Sequence, residues 1–193
     1  MDPTLTPEIV LQGYCAGLFP MADETGAIHW FSPNPRCIFL LDHFHVPRSV
    51  RQTIRRGKFE VRVNTAFDEV IAGCADRPEG TWISREIMRV YRALHRQGYA
   101  HSVESWYQGQ LAGGLYGVAI GGAFFGESMF TRVTDASKVA LVALVERLRN
   151  RGFTLLDTQW QTPHLARFGA VNIPRAEYLR RLRSALALRV SFV

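Results

Sequence analysis

Residues 101–127 read HSVESWYQGQLAGGLYGVAIGGAFFGE and contain three apolar runs separated by two short turn sequences. This pattern predicts three consecutive strands, at 101–107, 111–119 and 123–127. The connections Gln108-Gly109-Gln110 and Ile120-Gly121-Gly122 are typical of hairpin turns, because glycine adopts the positive φ angles that tight turns require. Strands joined in this way form an antiparallel meander.

The segment after the meander predicts a long helix and a further strand. Residues 136–151 have a wide apolar face, with Asp135 as the N-cap and Gly152 as the C-terminal stop. Residues 153–159, FTLLDTQ, predict the strand. A meander followed by a helix and a strand is an α+β pattern. It suggests an acyltransferase fold of the N-acetyltransferase (GNAT) type, with a mixed sheet and flanking helices.

The remaining sequence predicts shorter elements and one boundary. We expect helices at 7–18, 47–57, 66–76, 84–97, 163–168 and 174–187, and strands at 37–41 and 59–64. A loop rich in proline and glycine follows Gly17-Leu18-Phe19-Pro20 and is the best candidate for a boundary. The sequence therefore predicts a short N-terminal segment at 1–35 and a main domain at 36–193.

Composition excludes several classes of protein. The 193 residues are 47% hydrophobic and 21% charged, values that exclude a disordered chain and a coiled coil. No run of about 18 apolar residues exists, so we expect no membrane span. The N-terminus lacks a basic region followed by an apolar stretch, which predicts a cytoplasmic protein. The three cysteines are widely spaced without a Cys-x-x-Cys pair, so we expect no bound metal.

The positive charge has two interpretations. Lys and Arg number 23 against 17 Asp and Glu, and all but two of the 23 are arginines. A basic cluster stands between 48 and 58, and its members are Arg48, Arg51, Arg55, Arg56 and Lys58. Such a cluster can be a solvated face in a protein from a GC-rich genome. It can also bind a polyanion such as RNA, because guanidinium binds phosphate in a bidentate manner.

Three polar residues in apolar surroundings are candidates for chemistry. Asp157 and Gln159 share one face of the strand at 153–159, and Asp157 follows two leucines. A buried carboxylate must be paired, hydrogen-bonded or catalytic; the alternative is a structural Asp that caps the next helix. Glu127 ends an apolar strand, where its charge could hold a cationic amine.

The loop at 128–135, SMFTRVTD, disfavours coenzyme A as the acyl donor. Enzymes that use coenzyme A bind its pyrophosphate with a glycine-rich turn at a helix start, and this loop contains no glycine. Aromatic and apolar residues cluster in the sequence near the candidate carboxylates, among them Trp82, Phe124, Met129 and Trp160. These residues form either core packing or a hydrophobic pocket for a substrate side chain.

Short motifs along nearly the whole chain point to one family. They are Gly17-Leu18-Phe19-Pro20, Trp30-Phe31-Ser32-Pro33-Asn34-Pro35-Arg36, Gly80-Thr81-Trp82-Ile83, Leu94-His95 with Gly98, Ala100-His101-Ser102-Val103-Glu104-Ser105-Trp106, Gly113-Gly114-Leu115-Tyr116-Gly117-Val118, Gly126-Glu127-Ser128-Met129-Phe130, Ala136-Ser137-Lys138, Leu156-Asp157-Thr158-Gln159, His164-Leu165 and Phe168-Gly169-Ala170. In these motifs and their order, the sequence resembles the bacterial leucyl/phenylalanyl-tRNA–protein transferases.

The resemblance implies a reaction and a set of roles. Such enzymes move leucine or phenylalanine, with methionine as a further candidate, from charged tRNA to the α-amine of proteins that begin with Arg or Lys. The new N-terminus marks the acceptor for degradation. The family roles correspond to Asp157 and Gln159 for amine activation and Glu127 beside the aminoacyl group. The implied side-chain pocket comprises Met21, Trp82, Leu115, Phe124, Met129, Thr131, Leu144 and Leu156.

Further expectations follow from the same resemblance. The partners are aminoacyl-tRNA and acceptor proteins, the enzyme is a monomer, and no cofactor is required because an aminoacyl ester is already activated. Met21 departs from the family, since some members have tryptophan after Phe19-Pro20. The chain also begins late and stops early relative to longer members, which reduces its N-terminal piece.

Three alternatives remain open from sequence. The first is a leucyltransferase for acceptors with acidic N-termini. The second is an RNA- or peptide-binding module without catalysis, which the combination of Asp157, Gln159 and Glu127 disfavours. The third is an acetyltransferase that uses coenzyme A, which the loop without glycine disfavours.

Overall fold

A computed structural model describes residues 5–193 of the chain. Its strands are β1 Phe19–Ala22, β2 Ile28–Phe31, β3 Arg36–Phe39, β4 Glu60–Val63, β5 Ala100–Tyr107, β6 Gln110–Ile120, β7 Ala123–Thr131, β8 Leu155–Gln159 and β9 Ala170–Ile173. Its helices are α1 Pro7–Cys15, α2 Arg48–Arg55, α3 Phe67–Ala75, α4 Arg85–Arg96, α5 Ala136–Asn150, α6 Pro163–Ala166 and α7 Arg175–Leu186, with a 3₁₀ turn at Leu41–His43.

Seven strands form one mixed sheet in the order β4-β5-β6-β7-β8-β3-β9. The pair β7–β8 is parallel and the other neighbours are antiparallel. Strands β1 and β2 pair separately as a hairpin. The predicted α+β class and the mixed sheet with flanking helices are confirmed.

The predicted meander is present as β5, β6 and β7. Gln108 and Gly109 both have positive φ, 50° and 75°, as a tight hairpin between right-twisted strands requires. Strand β7 continues to Thr131, four residues beyond its predicted end, because it remains paired with β6 as far as the register Gly113↔Thr131.

Strands β7 and β8 separate soon after they begin. They pair only from Ala123↔Leu155 to Phe125↔Asp157, whereas β7 runs on for six more residues. We call Gly126–Thr131 the open edge of β7. A parallel sheet that separates in this way leaves a cleft at its centre, with backbone groups available on one side.

Helices cover both faces of the sheet and produce two cores. Helices α3 and α4 pack on one face, where Tyr116 and Phe125 belong to a core that also includes α1 and α7. Helix α5 packs on the other face, where Leu115 and Phe124 are buried. Neighbouring residues of one strand enter different cores because side chains alternate along a strand.

Several local expectations differ from the structure. Strands β1, β2 and β9, of four residues each, have no counterpart among the predicted elements. Asp135 stands at the N-cap of α5, but its φ is 75° and its side chain does not cap the helix. Its carboxylate binds Lys138 and Thr53 instead, and Thr131 Oγ1 accepts from Ser137 N in the first turn.

The N-terminal segment shares the core of the rest of the chain. Tyr14 and Phe19 are buried in the core that contains α3 and α4. The division into 1–35 and 36–193 stays a prediction, and residues 1–4 lie outside the described part. Within residues 5–193, no helix is both long enough and apolar enough to cross a bilayer.

Candidate functional site

A cavity of about 480 Å³ lies where β7 and β8 separate. Its walls come from the open edge of β7, the end of β8, helix α5 and the loop that carries Trp82. Predicted residues that line it are Glu127, Gln159, Trp82, Leu115, Met129, Thr131, Leu144 and Leu156. The structure therefore brings together eight of the eleven residues that the sequence assigned to catalysis and the side-chain pocket.

Met21 and Phe124 do not line this cavity. Met21 lies on β1, opposite His29 in the small hairpin, and packs partly buried against the core. Phe124 lies in the paired part of β7, where its ring is fully buried and stacks on Phe192 at a centroid distance of 5.2 Å. In this structure, Phe124 supports the cavity from the core, and Met21 belongs to the neighbouring hairpin.

Asp157 lies behind the cavity wall and is fully buried. Its Oδ1 accepts hydrogen bonds from Arg36 Nε at 2.8 Å and from the Gln159 backbone N–H at 3.0 Å. Its Oδ2 accepts from Arg36 Nη2 at 2.6 Å and from the Tyr178 hydroxyl at 2.9 Å. A direct contact of Asp157 with an amine, as its implied role in amine activation would require, does not fit this geometry, because four protein donors already occupy the carboxylate.

Arg36 connects Asp157 to the N-terminal segment. Its guanidinium is buried between the rings of Phe19 and Tyr178, at 4.7 and 4.4 Å from their centroids, and Nη1 donates to the Gly17 carbonyl. Burial lowers the pKa of Arg36, but the hydrogen bonds and charge of Asp157 outweigh it and raise that pKa overall. The sequence contained Arg36 in a motif, but nothing local indicated that its partner is 121 residues away.

Gln159 presents its amide to the cavity from a left-handed backbone conformation, with φ of 59°. This conformation is uncommon for a residue other than glycine. The hydrogen bond from its backbone N–H to Asp157 stabilises it. Its Nε2 donates to Glu127 Oε1 at 3.2 Å, which leaves the amide oxygen as the acceptor available to a ligand.

Glu127 lies half-buried in the cavity wall and belongs to a network that the sequence analysis did not identify. The Tyr91 hydroxyl donates to Glu127 Oε2 at 3.3 Å, and the Tyr91 and Tyr14 hydroxyls are 2.5 Å apart. Burial raises the pKa of Glu127 to about 8; the charge of Asp157 adds to this effect, and hydrogen bonds with the two tyrosines oppose it. The surroundings of Glu127 therefore favour its neutral form more than water does.

Other residues of the wall were not assigned to the pocket from sequence. They are Arg77, Tyr116, Gly126, Ser128, Phe130, Ser137, Leu141, Thr158, Thr162, His164 and Leu165. Trp160, which the sequence left open between core packing and a pocket, lines the cavity, and its side chain is 42% exposed. Thr162 to Leu165 could not be assigned from local pattern, since they reach the cavity only through the turn after β8.

The predicted RNA-binding residues form an exposed group. Arg48, Arg51 and Arg55 lie on α2, followed by Arg56 and Lys58, and all five are exposed. Val50 anchors α2 in the core beneath α5. Lys58 Nζ donates to the Thr134 carbonyl at 3.5 Å, so the C-terminal side of this basic segment adjoins the loop that leaves the open edge of β7.

The described part of the chain, residues 5–193, contains no group of three or more His, Cys, Asp or Glu side chains placed to hold a metal ion. The polar groups in the cavity wall are the carboxyl group of Glu127, the amide of Gln159, a guanidinium, an imidazole and several hydroxyl groups, and they lie next to an apolar surface. Such a combination can bind an amine next to an apolar side chain.

Comparison with known proteins identifies one family. A family model described as leucyl/phenylalanyl-tRNA protein transferase matches residues 38–183, and one for the N-terminal domain of the same proteins matches residues 3–34. The leucyl/phenylalanyl-tRNA–protein transferase of Gloeobacter violaceus is 58% identical over 190 residues, covering 98% of each chain. That of Herpetosiphon aurantiacus is 55% identical over 193 residues and covers all of both chains.

Proposed function

We propose that this chain moves leucine or phenylalanine from charged tRNA to the α-amine of proteins that begin with Arg or Lys. The chain belongs to the leucyl/phenylalanyl-tRNA–protein transferase family and is an aminoacyltransferase. The single observation that carries this proposal is the cavity, in which Glu127 and Gln159 stand next to an apolar wall. The choice of basic acceptors, and their later degradation, follow the family resemblance.

The apolar wall fits the side chain of the donor. Leu115, Leu144 and Leu156 supply branched apolar surface, and Met129 supplies a flexible wall that can adapt to either an aliphatic or an aromatic group. Full burial of such a side chain is worth about 1.5–3 kcal/mol. Methionine, unbranched and of similar size, is a further candidate for the same pocket.

Glu127 and Gln159 would bind the two amines. The proposed partner of Glu127 is the α-ammonium of the aminoacyl group, whose positive charge would favour the ionised carboxylate. Gln159 would accept a hydrogen bond from the acceptor amine through its free amide oxygen. Asp157, with its oxygens occupied, would act by holding the backbone of Gln159.

The reaction needs little from the protein beyond positioning. The acceptor nitrogen attacks the ester carbonyl carbon, the bond from that carbon to the ribose oxygen breaks, and the departing oxygen takes up the proton that the amine loses. An amide such as Gln159 orients the amine but is not a base at neutral pH. Positioning of two reactants can account for about 7–11 kcal/mol of a barrier.

The proposal also covers the type of sheet, the binding of the tRNA body, the oligomeric state and the cellular compartment. The antiparallel meander, the α5 crossover and the parallel pair β7–β8 that separates at the cavity support a GNAT-type sheet. The exposed basic segment, Arg48 to Lys58, would bind the body of the tRNA. The enzyme would act as a monomer in the cytoplasm, where charged tRNA is present, and would use no cofactor.

The direct test is transfer of radiolabelled leucine or phenylalanine from tRNA to a peptide that begins with arginine. We expect labelled peptide without ATP and in the presence of EDTA. A matched peptide that begins with aspartate should accept no label. Labelling of the acidic peptide instead would favour the alternative acceptor class, and binding of tRNA without any transfer would reduce the chain to an RNA-binding module.

A further inference from the structure

A second cavity, of about 300 Å³, adjoins the first on the side of α3. The two cavities share Arg77 and the stretch Met129–Thr131 of the open edge of β7. The far side of the second cavity is formed by Arg132, with Asp76 as the carboxylate in its wall. A molecule that extends out of the first cavity past Arg77 therefore enters a space with two guanidinium groups.

Arg77 is held across the open edge of β7. Its Nε donates to the Cys74 carbonyl at 3.1 Å, and its Nη2 donates to Ser128 Oγ at 3.0 Å and to the Met129 carbonyl at 3.3 Å. These bonds join the end of α3 to β7 and leave Nη1 of the guanidinium without a protein acceptor in the described residues. The position of this charge is thus fixed before any ligand arrives.

Arg132 is the second cation of the cavity. Its guanidinium carbon lies 5.1 Å from the centroid of the Phe130 ring, and its Nη1 makes a long bond, 3.4 Å, to the Leu111 carbonyl. Among residues 5–193, neither Arg77 nor Arg132 forms an ion pair, either with Asp76 or with another carboxylate. Arg77 and Arg132 therefore share this cavity with one carboxylate, Asp76, which pairs with neither, so the two guanidinium charges outnumber it.

We propose that this second cavity binds the phosphate group on the 5′ side of the terminal adenosine of the tRNA donor. The inference rests on the proposed function, which places the aminoacyl group in the first cavity. Two guanidinium groups around one space suit a phosphodiester, because each presents several N–H donors to its oxygens. Two residues after Arg132, the Thr134 carbonyl accepts a hydrogen bond from Lys58 Nζ. The RNA backbone would therefore continue from this cavity towards the basic segment.

The test measures binding of two small unreactive donors. One is phenylalanyl-adenosine with an amide in place of the ester, and the other is the same compound with a 5′-phosphate. For the unaltered protein we expect the phosphate to lower Kd by roughly tenfold or more, as charge-assisted hydrogen bonds allow. In Arg132→Gln most of this advantage should disappear, while Kd for the compound without phosphate stays within about twofold, since Arg132 does not line the first cavity.

Two further variants complete the design. Arg132→Lys keeps the positive charge but loses the planar guanidinium that binds phosphate through two N–H groups. It should therefore retain part of the decrease in Kd that the 5′-phosphate gives. Arg96→Gln is the matched control: Arg96 is exposed at the end of α4, beside the start of β5 and far from the open edge of β7, and its change should leave both Kd values unaltered.

The proposal is overturned if the 5′-phosphate gives the unaltered protein no advantage, or if Arg77→Gln and Arg132→Gln both leave the advantage intact. Failure of the proposed function gives a different result, because it appears as absence of transfer from charged tRNA to the arginine peptide. A protein that transfers from tRNA but ignores the 5′-phosphate therefore contradicts only the phosphate site.

Discussion

Gln159 combines a strained backbone with a side chain that reaches the cavity. Its positive φ turns the chain at the end of β8, and Asp157 accepts its backbone N–H so that this turn is kept. Strain of this kind costs of order 1–3 kcal/mol and persists only where surrounding contacts support it. The amide is consequently presented to a ligand in one orientation, which is what an orienting group requires.

Replacement of Gln159 tests this role. We expect Gln159→Ala to lower kcat by roughly a hundredfold and to change KM for charged tRNA little, because an orienting contact to the acceptor amine acts mainly in the transition state. Steady-state kinetics with varied tRNA and saturating peptide measure both constants. A variant with unaltered kcat would remove Gln159 from the reaction.

The raised pKa of Glu127 predicts how stability depends on pH. The pKa rises from 4.5 to about 8 on folding, so between these values the folded state binds more protons than the unfolded state. The free energy of unfolding therefore decreases as pH rises through this window. Glu127→Gln removes the titrating group, and its stability relative to the unaltered protein should increase from pH 5 to pH 8.

Melting temperatures of both proteins, measured in steps of one pH unit, check this expectation. Glu146→Gln is the control, because it removes the same charge from an exposed position on α5. Parallel curves for Glu127→Gln and the unaltered protein would mean that the carboxyl of Glu127 titrates alike in both states.

Glu127 and Gln159 could be identified from sequence because each is a polar residue that follows an apolar run. Asp157 could be identified as buried, but its function could not, since Arg36 and Tyr178 lie far away in sequence. The tyrosines that bind Glu127 gave no local signal at all. Tyr14 and Tyr91 fit their helices as core residues, and only the tertiary structure brings their hydroxyls to the carboxyl group.

At the scale of elements, the separation of β7 from β8 creates the site. The sequence predicted where β7 begins but not where it ends, because its second half, Gly126–Thr131, is half-buried or exposed and includes polar residues. Pairing with β6 keeps this half extended, and the loss of pairing with β8 exposes it to the cavity. A short-range pattern contains no information about when two strands part.

Helix α2 is the element that we expect to bind the tRNA body. Reversal of charge at Arg48, Arg51 and Arg55 should raise KM for charged tRNA by about tenfold or more at low salt and flatten its dependence on salt concentration. The same reversal should leave transfer from an aminoacyl-adenosine donor nearly unchanged, because that donor lacks the RNA body. Initial rates at several salt concentrations give both results.

A second basic helix provides the matched control for α2. Arg180, Arg181 and Arg183 lie on α7, and their reversal changes the net charge by the same amount. A similar loss in both triple variants would indicate a general effect of net charge. An equal loss with the small donor would indicate that the α2 arginines support folding or the cavity itself.

On the scale of the whole molecule, the buried pair of Arg36 and Asp157 joins distant parts of the chain. Around it meet the Gly17 carbonyl, the ring of Phe19 and the hydroxyl of Tyr178. The sequence predicted a boundary near residue 35, yet these contacts cross that position. Composition locates a loop, but it does not reveal which side chains on its two sides pack together.

Asp157→Asn tests whether the pair serves the framework or the reaction. The change leaves the buried Arg36 without a counter-charge, so we expect a loss of about 3–5 kcal/mol in the free energy of unfolding. For a chain of this length the melting temperature should fall by roughly 10 °C. Tyr178→Phe removes one of the four hydrogen bonds and should cost about 1 kcal/mol.

Calorimetry and steady-state kinetics on the same two variants separate the explanations. An unchanged melting temperature with a large fall in kcat for Asp157→Asn would show that the carboxylate acts on the reaction directly. Graded losses of stability, larger for Asp157→Asn than for Tyr178→Phe, support a positioning role through Gln159.

The position of β3 between β8 and β9 also sets an order of assembly during synthesis of the chain. This strand is made early, yet its two neighbours in the sheet, β8 and β9, are made more than a hundred residues later, and the Tyr178 contact follows later still. In a nascent chain on the ribosome, Arg36 therefore has no Asp157 to pair with until β8 has been synthesised. The hydrogen bonds around Asp157 are complete only once Tyr178, on α7, has been added, so the last helix of the chain finishes the support of a cavity whose walls were all synthesised before it.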